Sequence, residues 1–310
     1  MDAAIGTEKT SSIATRHGAF AAINAGFFRL DNSIWAGIPA GALKIDHEIY
    51  GESKNGRTAL EILNTNIETL VTIERVNMTC VLEVGDKVFS VGINRERLKD
   101  DVVIYTRFFG RTTLTNPDGI EIVVMKNKVF GVFKSVGSTK IPDDGYVISV
   151  SGKRVNEFLE TLKTGSSLRK RAEYSSAQDG PALNAMSISH DVVGGVPQLL
   201  RGGKIEITWE QEKTTKSFVE TRHPRTAVAK LKDGKFLMIT VDGRSEASGG
   251  IGLQDLAEYL LSLGATDAMN LDGGGSTTMF VDGTVVNRPS DKEGERKVSD
   301  AILVTLRKQK

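Results

Sequence analysis

The sequence predicts a strand-rich α+β fold, built from mixed sheets with a few helices. Thirty-two glycines among the 310 residues provide many tight turns, and residues 121–125 and 128–133 show the apolar patterning of strands. Apolar residues recur at helical spacing in three short stretches, residues 12–16, 155–162 and 253–263. A few short helices among many turn-bounded strands are typical of this class.

Composition and charge exclude several kinds of partner. Hydrophobic residues make up 39% of the chain and charged residues 25%, as in an ordinary soluble globular protein. The formal net charge is only +1, so the sequence lacks the basic footprint of a nucleic-acid-binding protein. No apolar stretch approaches the roughly 20 residues of a membrane span. Cys80 is the single cysteine, which precludes an intrachain disulfide, and we expect it to be buried.

The organisation of the chain predicts one domain over residues 1–310. A chain of this length buries a large core, and neither an internal repeat nor a low-complexity linker divides it. Composition is most polar at residues 163–176. That stretch predicts a surface loop or a subdomain boundary.

The stretch "NLDGGGSTTM", residues 270–279, is the most unusual segment of the sequence. A helix is expected to end upstream at Gly264, and residues 268–271 and 277–281 are predicted strands, so the glycines join two strands. Three consecutive glycines indicate positive φ angles or a close approach to the backbone. Their N–H groups are suited to an anion-binding nest, and a wide turn is the alternative. An ATP-binding loop of the Walker type is excluded, because no lysine follows the glycines.

Two aspartates follow predicted strands and precede glycine. Asp242 comes directly after the strand at 237–241, and Asp272 repeats the arrangement. Two carboxylates at strand ends fit acid and base chemistry at a glycosidic centre. Aspartate before glycine is also a common turn former, and acidic loops of this kind suit a structural divalent cation such as calcium. Residue types alone leave these alternatives open.

Polar residues end or begin two other predicted strands. Asn24 follows the apolar residues 21–23, where it either presents its amide outward or caps a turn. Pro224 holds its segment extended between His223 and Arg225. The planar guanidinium of Arg225 suits a phosphate or carboxylate ligand, and a salt bridge at the strand edge is the alternative.

Motifs spread over nearly the whole chain resemble those of the phosphodiester glycosidases. They are "AAINAGFF", "YTRFFGRTT", "GGVPQLLRGGK", "HPRTAVA", "VDGRSEASGGIGLQDLAEYLL", "AMNLDGGGSTTMFVDGTVVNRPSD" and "GERKVSDAILV". The resemblance implies the fold of that family and hydrolysis of a sugar-1-phosphodiester, which releases a sugar such as N-acetylglucosamine and leaves a phosphomonoester. No cofactor is implied. Ala229, where a glycine usually follows "RTAV", and the single cysteine depart from the family pattern, and these departures concern sugar specificity.

Residue by residue, the resemblance implies a pocket with catalytic and substrate-binding positions. Either Asp272 or Asp242 would be the nucleophile or base, and the other the acid or an orienting group. Arginines would hold the phosphate and asparagines the sugar hydroxyls. The implied catalytic positions are Asp272, Asp242 and Glu246, and the implied substrate-binding positions are Asn24, His223, Arg225, Arg244, Asn270, Gly273, Gly274, Gly275 and Ser276.

Two other functions compete with this interpretation. One is a non-catalytic protein that binds a carbohydrate or cell-envelope polymer on the same fold. The other is a phosphodiesterase that cleaves the P–O bond with a metal cluster, which the two histidines in the motif-rich half, His190 and His223, do not favour. Secreted relatives carry a leader and an early strand before the first motif. We therefore expect a longer natural N-terminus and a secreted or envelope location.

Overall fold

The computed structural model describes residues 5–177 and 189–306, and strands account for most of them. The largest sheet has eleven strands. These are β3 (Leu43–Ile45), β4 (Glu48–Gly51), β5 (Ser53–Asn64), β6 (Thr69–Val84), β7 (Lys87–Ile93), β8 (Val102–Thr106), β9 (Gly119–Met125), β10 (Lys128–Lys134), β11 (Gly145–Ser151), β12 (Arg169–Ser176) and β13 (Asp191–Gly194). The strands β7 and β8 pair in parallel, whereas the other pairs are antiparallel, so the sheet is mixed.

Three smaller sheets complete the described fold. The strands of the five-stranded sheet are, in spatial order, β15 (Lys204–Ile205), β14 (Gln198–Arg201), β18 (Ala265–Asn270), β16 (Arg225–Leu231) and β17 (Phe236–Val241). Those of the four-stranded sheet are β20 (Thr284–Val285), β19 (Met279–Val281), β2 (Ala21–Asn24) and β22 (Ala301–Val304). A two-stranded ribbon pairs β1 (Glu8–Lys9) with β21 (Lys297–Val298).

Four α-helices occur in the described residues, namely α1 (Thr10–Arg16), α2 (Arg154–Thr161), α3 (Lys216–Glu220) and α4 (Leu253–Ser262). The prediction of a strand-rich chain with mixed sheets and few helices is confirmed, and three helices lie where apolar spacing placed them. The five-residue α3 was missed, because it is too short to show a helical period. None of the described helices has the length and apolarity needed to cross a membrane.

The polar stretch 163–176 differs from its prediction. Residues Arg169–Ser176 form β12, which pairs with β6 along its whole length. The misleading composition has a physical cause, because β12 lies off the main path of the sheet and few of its side chains need to be apolar. Cys80 on β6 is buried as predicted, and burial raises the pKa of its thiol to about 12.

Three hydrophobic clusters account for most of the core. One fills the eleven-stranded sheet and includes Phe158 of α2. Another packs α4 on the five-stranded sheet through Leu253, Leu256 and Leu260. The third joins all three large sheets, because it contains Leu60 of β5, Val228 of β16 and Ile23 of β2, among others. The site described below lies at this junction.

The side chain of Asn24 bonds the four-stranded sheet to the five-stranded sheet. Its amide nitrogen donates to the carbonyl oxygen of Asp272 at 2.6 Å. Its amide oxygen accepts from the hydroxyl of Thr226 on β16 at 2.8 Å and from the N–H of Thr278 at 3.1 Å. The residue is fully buried, so all three bonds form away from solvent and fix the relative position of two sheets and one loop.

Replacing Asn24 with alanine is therefore expected to destabilise the protein by about 3 kcal/mol, because three buried polar groups lose their partner. Urea unfolding followed by circular dichroism measures this change. The matched control is Asn66→Ala, at an exposed position, where we expect a change within about 0.5 kcal/mol. Equal stabilities of the two variants would contradict a structural role of Asn24.

Candidate active site

Strand pairing brings the ends of several motifs to one place. Because β16 is antiparallel to β17, its first residue Arg225 lies opposite Val241, and Asp242 follows directly. The same strand pairs Ala227 with Asn270 at the end of β18. In the neighbouring sheet, Asn24 lies opposite Ala301, the first residue of β22. The polar residues that flank these strands therefore converge.

Asp272 occupies the centre of this convergence. Its N–H donates to the carbonyl oxygen of Ala25 at 3.0 Å, and its own carbonyl oxygen accepts from Asn24. Burial raises the pKa of its carboxyl to about 6, against the lowering effects of the Ser276 hydroxyl, Arg296 and the N–H of Gly273, and the charge of Asp300 raises it further. Ser276 lies close enough to affect the carboxylate, although its hydroxyl lacks the geometry of a hydrogen bond.

The three glycines accommodate protein atoms packed against the loop. A Cβ on Gly273 would lie 2.7 Å from the carbonyl oxygen of Pro224, and one on Gly275 would overlap the ion pair between Asp291 and Arg296. Gly274 adopts a φ of +61° below the guanidinium of Arg244. The close approach predicted from the sequence is therefore made by the protein itself.

The N–H groups of this loop are also partly engaged. Gly274 donates to the carbonyl oxygen of Pro224 at 2.8 Å, and the N–H of Gly273 lies close enough to the carboxylate of Asp272 to lower its pKa. A nest in which all three N–H groups face a phosphate does not fit this arrangement. The loop serves instead to orient Asp272, and residues Gly274–Ser276 form a single 3₁₀ turn.

Arg244 and His223 are the polar groups best placed to meet a ligand. Arg244 is exposed with a φ of +58°, and it forms no ion pair in the part of the chain that the structure describes. His223 is half-buried, and burial together with the charges of Arg225 and Arg244 lowers the pKa of its imidazole. The imidazole is therefore neutral at neutral pH.

Arg225 differs from its sequence-based interpretation. Its side chain is 2% exposed, and its guanidinium donates to the carbonyl oxygens of Phe218 (2.7 Å), Thr221 (2.8 Å) and Ile251 (3.2 Å). It also stacks on the ring of Phe218. Burial lowers its pKa to about 10, so the group keeps its positive charge at neutral pH. It anchors α3 and supplies charge from behind the site.

Asp242 and Glu246 lie in the loop after β17, and their catalytic roles stay a prediction. The carboxylate of Asp242 accepts from the backbone N–H of Arg288 (3.0 Å) and from the amide of Asn287 (3.1 Å), which makes it the cap of that turn. Glu246 is exposed and contacts no charged partner among the described residues. The sequence correctly predicted a strand-end aspartate at 242, but the turn-forming alternative describes its contacts.

The predicted sugar-binding asparagines and Ser276 are buried as well. The amide nitrogen of Asn270 donates to the carbonyl oxygens of Val196 and Leu271, both at 2.8 Å. The bonds of Asn24 are all intramolecular. Neither amide nitrogen is therefore placed for a sugar hydroxyl, and both residues shape the backbone around Asp272.

Unsatisfied polar atoms nevertheless concentrate in this loop. Of ten buried side-chain oxygens without a hydrogen-bond partner in the described chain, four lie within residues 270–278. They belong to Asn270, Ser276, Thr277 and Thr278. Such atoms are rare in native proteins, and each calls for an explanation such as strain, an ordered water or a ligand. No group of three or more His, Cys, Asp or Glu residues is placed to hold a metal ion in the ranges 5–177 and 189–306.

Two features of the site were missed from the sequence, the buried Asp300 and the ion pair between Arg296 and Asp291. Both lie in the last motifs that resemble the family, "NRPSD" and "GERKVSDAILV". Asp300 precedes its strand, whereas the search for site residues followed the ends of strands. Because β22 is antiparallel to β2, the start of β22 lies beside the end of β2.

Comparison with known protein families identifies the chain's relatives. The family described as phosphodiester glycosidase matches residues 118–305, more than half of the chain. The prophage-derived, uncharacterized protein YomE of Bacillus subtilis is 40% identical over 94 residues, which cover 30% of this chain and 14% of that protein. The N-acetylglucosamine-1-phosphodiester alpha-N-acetylglucosaminidase of Bos taurus is 38% identical over 109 residues, which cover 32% of this chain and 20% of that enzyme.

Solved structures extend the similarity to the whole chain. A crystal structure from Burkholderia pseudomallei K96243 superposes with a TM-score of 0.81 and 25% identity, and it covers 98% of this chain and 69% of that one. The matches to the two curated relatives are much shorter than this structural match. This chain spans less than a quarter of the length of either relative.

Replacing Gly273 with alanine tests the packing of the loop. The added Cβ would meet a backbone oxygen that cannot rotate away, so we expect a loss of about 2 kcal/mol in the free energy of unfolding. Gly249→Ala is the matched control, since its nearest neighbour is a side-chain nitrogen 4.0 Å away. If Gly273→Ala unfolds at the same urea concentration as the control, the loop is not packed as described.

Proposed function

The chain belongs to the phosphodiester glycosidase family, and from this premise we propose that it hydrolyses the bond between a sugar and phosphate in a sugar-1-phosphodiester. The products are the free sugar and a phosphomonoester. One observation supports this reaction above others: the carboxyl of Asp272 has a pKa of about 6 and lies on the same loop as Gly274, over which the unpaired guanidinium of Arg244 is placed. A carboxylate on a loop that also contacts an unpaired cation suits a substrate with an electrophilic carbon next to an anionic group.

The proposed reaction breaks the bond from the anomeric carbon to the phosphate oxygen. The bonding electron pair leaves with that oxygen, and the oxygen of water finally bonds to the anomeric carbon. Asp272 acts as a carboxylate, either directly on the anomeric carbon or as the base that accepts a proton from water. At neutral pH most Asp272 carboxyls are ionised, as both routes require.

Arg244 is proposed to hold the departing phosphate. A phosphate beside Asp272 is repelled by the carboxylate, and a cation is needed to offset this repulsion. Arg244 is exposed and without an ion-pair partner in the described chain, so it is able to take that role. Arg296 adds positive potential at Asp272 while it is ion-paired with Asp291, and the guanidinium of Arg225 donates to backbone carbonyl oxygens. The neutral His223, whose imidazole is affected by the charges of Arg225 and Arg244, is available as a donor or acceptor.

The proposed mechanism requires no cofactor. A phosphate monoester is a stable leaving group, so arginines stabilise its charge without protonation by an acid. Removal of divalent cations should therefore leave the activity intact. N-Acetylglucosamine is the proposed sugar, by analogy with the activity named for the bovine relative.

The activity is tested with UDP-N-acetylglucosamine and the methyl diester of N-acetylglucosamine-α-1-phosphate, with and without EDTA. We expect the wild-type protein to release free sugar in both conditions, and Asp272→Asn to lower kcat/KM by about 10³-fold or more. The variant removes a desolvated charge, so it should fold at least as well as the parent. Asp86→Asn, in an exposed turn, is the control. Turnover that survives Asp272→Asn would remove this residue from the mechanism, and no turnover of either diester by folded protein would favour a polymer-binding function.

The pH dependence of the reaction follows from the pKa of Asp272. That pKa is about 6, and the ionised carboxylate is the active form. As pH falls below about 6, the fraction ionised falls, and kcat/KM should drop about tenfold for each further pH unit. Stopped assays of sugar release between pH 4.5 and 8 measure this profile. A rate that stays constant down to pH 4.5 would contradict the proposed role.

A further inference from the structure

Asp300 is a buried carboxyl close to Asp272. It lies directly before β22 and is 7% exposed. One carboxylate oxygen accepts from the N–H of Gly26 at 2.6 Å, and the other accepts from the hydroxyl of Ser299. No arginine, lysine or histidine among the described residues forms an ion pair with it. A buried carboxyl without a cationic partner is costly and calls for a functional explanation.

The chain is shaped to bring the backbone against this carboxyl. A Cβ on residue 26 would lie 3.1 and 3.2 Å from the two oxygens of Asp300, and 3.3 Å from a methyl group of Val193. Only glycine lets the N–H reach the carboxylate at hydrogen-bond distance without such contacts. The glycine of "AAINAGFF" therefore serves Asp300.

Residue Ala25 connects the two aspartates. Its N–H donates to the carbonyl oxygen of Asp300 at 3.2 Å, and its carbonyl oxygen accepts from the N–H of Asp272 at 3.0 Å. One peptide segment thus holds the backbones of both residues, and Gly26 extends the contact to the side chain of Asp300. Two backbone hydrogen bonds therefore tie the backbones of the two aspartates to one segment, and a third bond, from the N–H of Gly26, holds the Asp300 carboxylate.

We propose that Asp300 is a positioning residue for Asp272: its carboxylate holds the Ala25–Gly26 segment to which the backbone of Asp272 is bonded, and this keeps the two carboxyl groups close enough to interact. It does not contact substrate in this proposal. The pairing departs from the sequence-based expectation, in which Asp242 was the second carboxylate. The inference rests on the proposed function only for its effect on activity, because the coupling of the two carboxyls is a property of the folded protein.

Other groups also face Asp272, and they limit the effect of Asp300. Arg296, the hydroxyl of Ser276 and the N–H of Gly273 all favour the ionised form of Asp272, whereas burial and Asp300 oppose it. Arg244 approaches from the neighbouring loop over Gly274. The pKa of Asp300 is itself raised by burial, against its two hydrogen bonds. The two carboxyls are therefore expected to titrate as a pair.

The test is a carbon-13 NMR titration of the aspartate carboxyl carbons, with Asp272 assigned by the signal missing from Asp272→Asn. Asp300→Asn keeps an oxygen acceptor for Gly26 and removes the charge, and the Ser299 hydroxyl can rotate to accept from the new amide. We expect the midpoint of Asp272 to fall by about half a pH unit in this variant. Asp242→Asn removes a carboxylate from the same edge and should leave the midpoint unchanged.

An unchanged midpoint of Asp272 in folded Asp300→Asn would overturn the proposal. If that variant does not fold, the titration curve of Asp272 in the wild-type protein tests the proposal. Coupled carboxyls must each report the titration of the other, so the carbon of Asp272 should show two steps whose midpoints match those of Asp300. A single step with no trace of Asp300 would also overturn it.

Kinetic data separate this inference from the proposed function. If the protein hydrolyses a sugar phosphodiester, the acidic limb of kcat/KM should move to lower pH in Asp300→Asn by the same amount as the NMR midpoint. A merely structural role would lower kcat without moving the limb. If no diester is hydrolysed but the NMR midpoint moves, the proposed reaction fails and the coupling of Asp300 to Asp272 stands.

Discussion

The buried amide of Asn24 is the interaction on which the site depends. Its three hydrogen bonds reach the loop that carries Asp272, the strand β16, and Thr278 directly before β19. An amide satisfies this geometry because it offers both donors and an acceptor from one rigid plane. Hydrophobic contact is not directional, so the shared apolar cluster alone would let the four-stranded and five-stranded sheets slide or rotate against each other. The directional bonds of Asn24 select one arrangement.

The charged groups of the site differ in their burial and in their partners. The partly buried Asp272 interacts with the buried Asp300 and with the ion-paired Arg296. The backbone of the buried Arg225 packs against Gly273 of the same loop. Arg225 has carbonyl oxygens as partners in place of a carboxylate, so its charge is not cancelled locally. Raised carboxyl pKa values and lowered cation pKa values in one region are characteristic of sites that handle protons or anions. Arg244 and His223 complete this region on the solvent side.

The glycine-rich loop illustrates a general difficulty in interpreting motifs. Consecutive glycines indicate that something approaches the backbone closely, and that inference was correct. The approaching atoms belong to Pro224, Arg244, Asp291 and Arg296 of the same chain. The loop is consequently a rigid support that is packed on several sides, and its rigidity holds the Asp272 carboxyl in a fixed orientation.

The sequence by itself determined the strand-rich class, three of the four described helices and the family resemblance. These features depend on local periodicity and on contiguous motifs. The tertiary structure alone decided what each polar residue contacts: it assigned Asp242 to a turn, Asn24 and Asn270 to the backbone, and Asp300 to the neighbourhood of Asp272. The Gly26 N–H and the Asp300 carboxylate are separated by 274 positions in the chain. Contacts of that kind follow from strand pairing, and the residue types at each end fit several alternatives until the pairing is known.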